Sequence, residues 1–187
     1  RGAYKLEAAL DAFRIDVQGL VAIDVGASTG GFTEVLLKRG VTRVYAVDVG
    51  RSQLHWRLRN DARVVCMEGL NARFIEPCHI PEPCGVAVFD VSFISLRLVV
   101  PPVLRLLGEG AHIVALVKPQ FEAGREHVGK GGVVRDDGVA RSVVDGMRSF
   151  MEGLGTRVAG VIPSPIRGAK GNREYLLYAR GKGEAAP

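Results

Sequence analysis

Five short, valine-rich apolar runs recur along the chain, at residues 21–25, 44–47, 64–67, 86–89 and 113–117. Each is mostly continuous rather than alternating, which is how strands read when both faces of a parallel sheet are covered. Covering both faces requires helices on each side, and helix-like stretches lie between the runs at 32–39, 98–107 and 139–154. The first and last of these stop at Gly40 and Gly155, glycines suited to a left-handed C-cap. Such alternation predicts a doubly wound α/β fold with right-handed crossovers. A further amphipathic stretch, 4–13, reads as a helix ahead of the first strand. The last two strand-like runs, 157–162 and 174–179, are joined by the turn-rich segment 163–173 and pair naturally as antiparallel neighbours. The expectation is a mostly parallel seven-stranded sheet with an antiparallel last strand and helices on both faces.

The chain has 187 residues, 47% of them hydrophobic, enough for one domain with a full core. The three cysteines, Cys66, Cys78 and Cys84, are odd in number and match no paired metal-ligand spacing. They read as reduced thiols of a cytoplasmic protein, and no metal site is expected. No apolar run approaches the roughly 18 residues that span a bilayer, and no signal peptide opens the chain. The first residue is Arg1, so the chain is expected to be a piece of a longer protein. The small, polar tail 181–187 is expected to be disordered. A net charge of +5 leans modestly toward a polyanionic partner.

The stretch Asp24-Val25-Gly26-Ala27-Ser28-Thr29-Gly30-Gly31-Phe32-Thr33 joins the first strand to its helix. Gly26, Gly30 and Gly31 permit a tight turn and close approach of backbone to ligand. The dinucleotide fingerprint would place a second glycine at Ser28, and the strand-end acid Asp24 would repel a pyrophosphate. A ligand carrying an amino group and a sulfonium suits the turn better, which disfavours a nicotinamide-dependent oxidoreductase. Asp48 closes the second strand where an acid commonly accepts ribose hydroxyls. The pattern resembles the first motif of class I, Rossmann-like methyltransferases. The resemblance implies S-adenosylmethionine as cofactor, with Asp24 toward its amino group and the turn from Gly26 through Ala27, Ser28, Thr29, Gly30, Gly31 and Phe32 around its methionine part. It also implies Asp48 on the ribose and Asn71 at the adenine.

In an open parallel sheet, ligands sit beyond the carboxyl ends of the strands. Asp90 ends the fourth strand and Lys118 the fifth, where Pro119 stops the ladder. Glu174 begins the last strand, and an antiparallel strand starts at that same edge. The three residues resemble members of the Lys-Asp-Lys-Glu tetrad of ribose 2′-O-methyltransferases related to FtsJ. The TlyA family is a closer match over nearly the whole chain. Its signposts are Arg1-Gly2-Ala3-Tyr4-Lys5-Leu6, the glycine turn, Asp90-Val-Ser-Phe-Ile-Ser-Leu96, Leu116-Val-Lys-Pro-Gln-Phe-Glu122, Gly129-Lys-Gly-Gly-Val-Val-Arg135 and Gly171-Asn-Arg-Glu174. The resemblance makes Lys5, Asp90, Lys118 and Glu174 the tetrad, with Lys5 placed there by the resemblance alone. It further implies methylation of cytidine riboses in ribosomal RNA and an RNA-binding S4 domain upstream of the segment present here.

A ribose hydroxyl is a very weak acid, so transfer to it is helped by a base. A lysine in water titrates at about 10.4, and burial or a second cation has to lower that value while carboxylates raise it. Lys118 is expected to be this base, assisted by Lys5 and oriented by Asp90 and Glu174. A base methyltransferase would show an Asn-Pro-Pro-aromatic loop or a catalytic cysteine, where this chain has Asp90-Val-Ser-Phe93. Two glycine-containing loops carry cations suited to phosphates: 122–137, with Arg125, Lys130 and Arg135, and 163–173, with Arg167, Lys170 and Arg173. Phe93 and Phe121 are placed either in the core or against an extruded base. Two competing readings are a membrane-active haemolysin, a label attached to members of this family, and an RNA-binding module without catalysis. The first finds no long amphipathic helix with a basic face.

Overall fold

The computed structural model describes residues 2–183. In chain order the elements are α1 (Gly2–Ala12), β1 (Val21–Val25), α2 (Gly31–Lys38), β2 (Arg43–Asp48), α3 (Trp56–Arg59), β3 (Val64–Glu68) and β4 (Cys84–Phe89). They continue with α4 (Leu96–Leu104), β5 (Leu107–Val117), α5 (Pro119–Glu122), α6 (Asp137–Gly153), β6 (Arg157–Pro163) and β7 (Tyr175–Arg180). The seven strands form one sheet in the order β3-β2-β1-β4-β5-β7-β6. β1 to β5 run parallel, and β7 is antiparallel to both of its neighbours, β5 and β6. The expected architecture is the one found.

Strand alternation divides the core in two. On one face Ile23, Val47, Phe89, Ile113 and Val117 pack under Leu96, Val100 and Val103 of α4 and Met147 and Met151 of α6. On the other, Ala22, Val44, Val88, Val114, Leu116 and Leu176 pack under Leu6 and Leu10 of α1 and Phe32, Val35 and Leu36 of α2. Burying side chains of this size on both sheet faces contributes about 1.5–3 kcal/mol each, the main force behind the fold. Parity also places the functional edge. Asp24, Asp90, Lys118 and Glu174 each lie two residues from Ala22, Val88, Leu116 and Leu176 respectively, so all four belong to the face that α1 covers.

Most boundaries shift by a residue or two from the sequence reading, and some differences are larger or have an identifiable cause. The helix expected at 98–107 runs from Leu96 to Leu104, started by Ser95, whose side chain accepts the Arg97 amide. β5 begins at Leu107, which lies opposite Cys84 of β4; the glycine-rich residues that follow form an irregularity before the pairing resumes at His112 opposite Val86. α3 and α5, four residues each, are too short to leave a periodic signal. The tail expected to be disordered keeps backbone order at its start: the Gly181 amide donates to the Ala111 carbonyl at 2.8 Å and Gly110 to Lys182 at 2.9 Å. Arg1 and the rest of that tail, 184–187, lie outside the described residues.

Candidate active site

The sheet order reverses between β1 and β4, the point where α/β sheets open a crevice. The residues after these strands cross closely there. A Cβ on Gly26 would collide with the Asp90 carbonyl, and Gly26 has φ +84°. Only glycine combines that backbone with that contact. Ser28 follows in the left-handed region at φ 50°. Its amide donates to Asp48 Oδ2 at 2.7 Å, while the Gly50 amide donates to Oδ1 at 2.7 Å. The Asp48 carboxylate is thereby fixed by backbone, with lone pairs left over for another donor.

A cleft of about 480 Å³ opens here, within the usual size of small-ligand sites. Its lining includes Gly26, Ser28, Asp48 and Asn71, with apolar walls from Val49, Leu70, Val91 and Ile94. Asn71 also caps the short turn after β3 by accepting the Arg73 amide at 3.0 Å. The other expected cofactor residues line neither this cleft nor its neighbour, and the reason is packing. Phe32 is buried in the core beneath α1. Ala27 packs with Ala46 and Leu54. The free side of Gly30 is filled by Leu58 and Leu54, and that of Gly31 by the Gly2–Ala3 backbone. Thr29 is exposed, and its carbonyl accepts the His55 amide. Only part of the glycine turn therefore faces a ligand space.

Asp24 lies fully buried beneath the turn. Its Oδ2 accepts the Thr33 hydroxyl at 2.6 Å, and its Oδ1 has no partner among the described residues. Burial pushes this carboxyl up to about 7, the negative charges of Asp90 and Asp48 add to the rise, and hydrogen bonds from Thr33 oppose it.

A second cleft, of about 550 Å³, adjoins the first and shares with it Ser28, Asp90, Ser92 and Phe93. Lys5, Lys118 and Glu174 line it as well. The structure thus brings together the four residues of the expected tetrad. Lys118 Nζ lies 2.7 Å from Asp90 Oδ1, and Lys5 Nζ 2.5 Å from Glu174 Oε2. Both lysines and Glu174 are buried, with Asp90 nearer the surface. α1 places Lys5: its apolar side, Leu6, Ala9 and Leu10, seats the helix on the sheet and turns Lys5 toward the strand ends.

Several residues of this site carried no individual signal in the sequence. Ser92 Oγ accepts from Lys118 Nζ at 2.9 Å. Gln120 reaches Glu174 Oε1 at 3.4 Å and leaves its own buried Oε1 without a partner among the described residues. Glu122 accepts the Ser95 hydroxyl at 2.6 Å and the Leu96 amide at 2.7 Å, so it ties the turn after β4 to the one after β5; burial raises its carboxyl above the usual range. Asn172, buried, accepts the Val134 amide at 3.0 Å and donates to the Gly132 carbonyl at 2.9 Å, stapling the two glycine-containing loops together. Arg167 and Lys170 line the second cleft, whereas Arg173 pairs with Asp137. Phe93 is 88% exposed at φ 64°, its ring 5.0 Å from that of Phe121. Core packing is therefore excluded for Phe93. Cys84 is buried at the far end of β4, its thiol pushed up to about 12 by burial, and takes no part in this edge.

A model of FtsJ-like methyltransferases matches residues 1–181. The chain belongs to that family. A relative in Mycobacterium tuberculosis, the 16S/23S rRNA (cytidine-2′-O)-methyltransferase TlyA, is 51% identical over all of this chain and 69% of its own length. A solved structure from Streptococcus thermophilus, provisionally named a hemolysin, superposes with a TM-score of 0.95 at 46% identity, covering 97% of this chain and 66% of that one. An S-adenosylmethionine-dependent methyltransferase from Mesorhizobium loti, at 15% identity and TM-score 0.67 over 92% of this chain and 96% of its own, shares the Rossmann-like fold. The chain spans about two thirds of the length of the curated relatives it matches. Among the described residues of this FtsJ-like chain, no helix is long and apolar enough to cross a membrane.

Proposed function

We propose that the chain is an S-adenosylmethionine-dependent methyltransferase of the cytoplasm that modifies the ribose 2′-hydroxyl of cytidine in bacterial ribosomal RNA. The observation that carries this reading is the shared wall: one cleft suited to the donor and one holding two buried lysines meet at Ser28, Asp90, Ser92 and Phe93. The donor fits the first cleft by chemistry. Asp48 offers oxygens to ribose hydroxyls, Leu70, Ile94 and Asn71 offer an apolar slot with a polar edge for adenine, and Gly26 and Ser28 border the methionine part. The Oδ1 of Asp24, beneath the turn and unpartnered among the described residues, is an acceptor suited to a cationic or N–H donor. When bound, the donor supplies a methyl already activated by its sulfonium.

The chain's own residues supply alignment and proton removal. Lys118 takes the proton from the ribose hydroxyl. Asp90 holds the Lys118 nitrogen at the junction of the clefts, and the Lys5–Glu174 pair lines the same space as a second buried cation with its counter-charge. General base help of this kind typically gives ~10²–10⁴-fold, and holding the reactants in line gives more. Arg167 and Lys170 suit phosphates beside the target, and the stapled loop carries three further exposed cations, Arg125, Lys130 and Arg135. Phe93, exposed against Phe121, offers a face on which an extruded base stacks. The cytidine and ribosomal RNA specificity is supported by the M. tuberculosis relative's named activity.

Calorimetric titration tests the cofactor half of this proposal: S-adenosylmethionine binds and NAD⁺ does not, and Asp48→Ala weakens the donor at least about tenfold. NAD⁺ binding, or donor binding indifferent to Asp48, contradicts it. A lytic activity finds no support in α6, whose apolar side packs on the core and whose sequence carries Asp137, Asp145 and Glu152 against Arg141 and Arg148.

A further inference from the structure

We propose that the Ser92 hydroxyl is a positioning residue for Lys118, aiming its nitrogen at the target hydroxyl. This rests on the methyltransferase reading above. Among the described residues, Lys118 Nζ has two side-chain acceptors, Asp90 Oδ1 at 2.7 Å and Ser92 Oγ at 2.9 Å. A neutral amine has two N–H bonds and one lone pair. With one N–H on Asp90 and the other on Ser92, the lone pair is the direction left for an incoming hydroxyl, which is the geometry a base needs. Asp90 alone would leave the nitrogen free to rotate about that single bond.

The turn is built to bring the hydroxyl there. Phe93, directly after Ser92, sits at φ 64°, a conformation that reverses the chain at a cost for a bulky residue. Glu122 then clamps the outgoing end through Ser95 and Leu96. Ser92 itself is exposed and lines both clefts, so its removal leaves no core void. A role in stability alone does not explain its place.

The test uses the whole protein that carries this chain, with Ser92→Ala, Ser92→Thr and Lys118→Ala. Two readouts are taken: ribosomal RNA methylation kinetics, and pH-dependent acetylation of Lys118 by acetic anhydride without donor, read by peptide mass spectrometry. Ser92→Ala is expected to lower kcat about tenfold, with KM for RNA and donor affinity within about twofold of wild type, and Ser92→Thr to restore most of it. Losing the acceptor disfavours the ammonium, so the Lys118 labelling curve of Ser92→Ala moves toward lower pH. A drop in kcat alongside a more available amine marks misaimed nitrogen rather than lost base. Wild-type kcat and an unmoved labelling curve in Ser92→Ala overturn the inference. Absence of ribose methylation by the wild type overturns the function proposed above instead, and the labelling curve then decides the Ser92 contact by itself.

Discussion

At the scale of single residues, the buried edge of the sheet concentrates charge that has to be balanced locally. Asp24 is the clearest case, with its carboxyl raised to about 7 chiefly by burial. The sign follows from linkage: between about pH 4 and pH 7 the folded state holds a proton that the unfolded chain has lost, so this residue makes stability fall as pH rises through that window. Asp24→Asn removes the titration. Urea unfolding at pH 5 and pH 7.5 should therefore show the variant gaining on wild type at the higher pH, by a few kcal/mol at most, on the order of 1.4 per pH unit; an identical difference at both pH values would contradict the assignment. Lys118→Ala should lower methylation at least about 100-fold and leave donor affinity within about twofold, checked by single-turnover kinetics and calorimetry. Asp24, Asp48, Asp90, Lys118 and Glu174 were legible because strand-end position and parity are periodic properties. Ser92, Gln120 and Asn172 were not, because each acts through a partner 26 to 54 residues away and nothing local marks it.

At the scale of elements, the glycine turn shows how far a motif can be read. The sequence indicates a tight turn at a strand–helix junction, and that is found. Sequence alone does not distinguish a glycine that opens space for ligand from one that lets two elements touch, and Gly30 and Gly31 are of the second kind. Gly26→Ala is expected to destabilise the fold by about 1–3 kcal/mol through its positive φ and the Asp90 carbonyl, measured by denaturant midpoint. The stapled loops make a second element-scale unit. Asn172→Ala removes both of its bonds to the 122–137 loop. It should speed limited proteolysis within that loop and weaken RNA binding, while leaving donor affinity unchanged. Unaltered cleavage would mean that the loops are held by other contacts. β5 extends beyond its apolar run for a similar reason: Leu107 pairs with β4, and Gly110 and Ala111 bond to the chain after β7, distant partners that override a glycine-rich local sequence.

At the scale of the whole molecule, the strand order, the one antiparallel strand and the helix that carries Lys5 act as a single device. Reversal at β1 and β4 opens the first cleft, and the antiparallel β7 returns Glu174 to the carboxyl edge of the parallel strands. α1, seated on the face shared by Asp90, Lys118 and Glu174, closes the set with Lys5. The antiparallel last strand follows from strand periodicity and topology rules, while the strand order itself comes from the structure. The third came from family resemblance, since periodicity identifies a helix but not the surface on which it lands. We propose that this assembly methylates a ribose oxygen. The most direct measurement incubates the whole protein that carries this chain with bacterial ribosomal RNA and isotopically labelled S-adenosylmethionine, then digests the RNA to nucleosides for mass spectrometry. Label in 2′-O-methylcytidine, lost with Lys118→Ala, is the predicted result; label on a base, or none from a wild-type protein that binds the donor, would contradict the account.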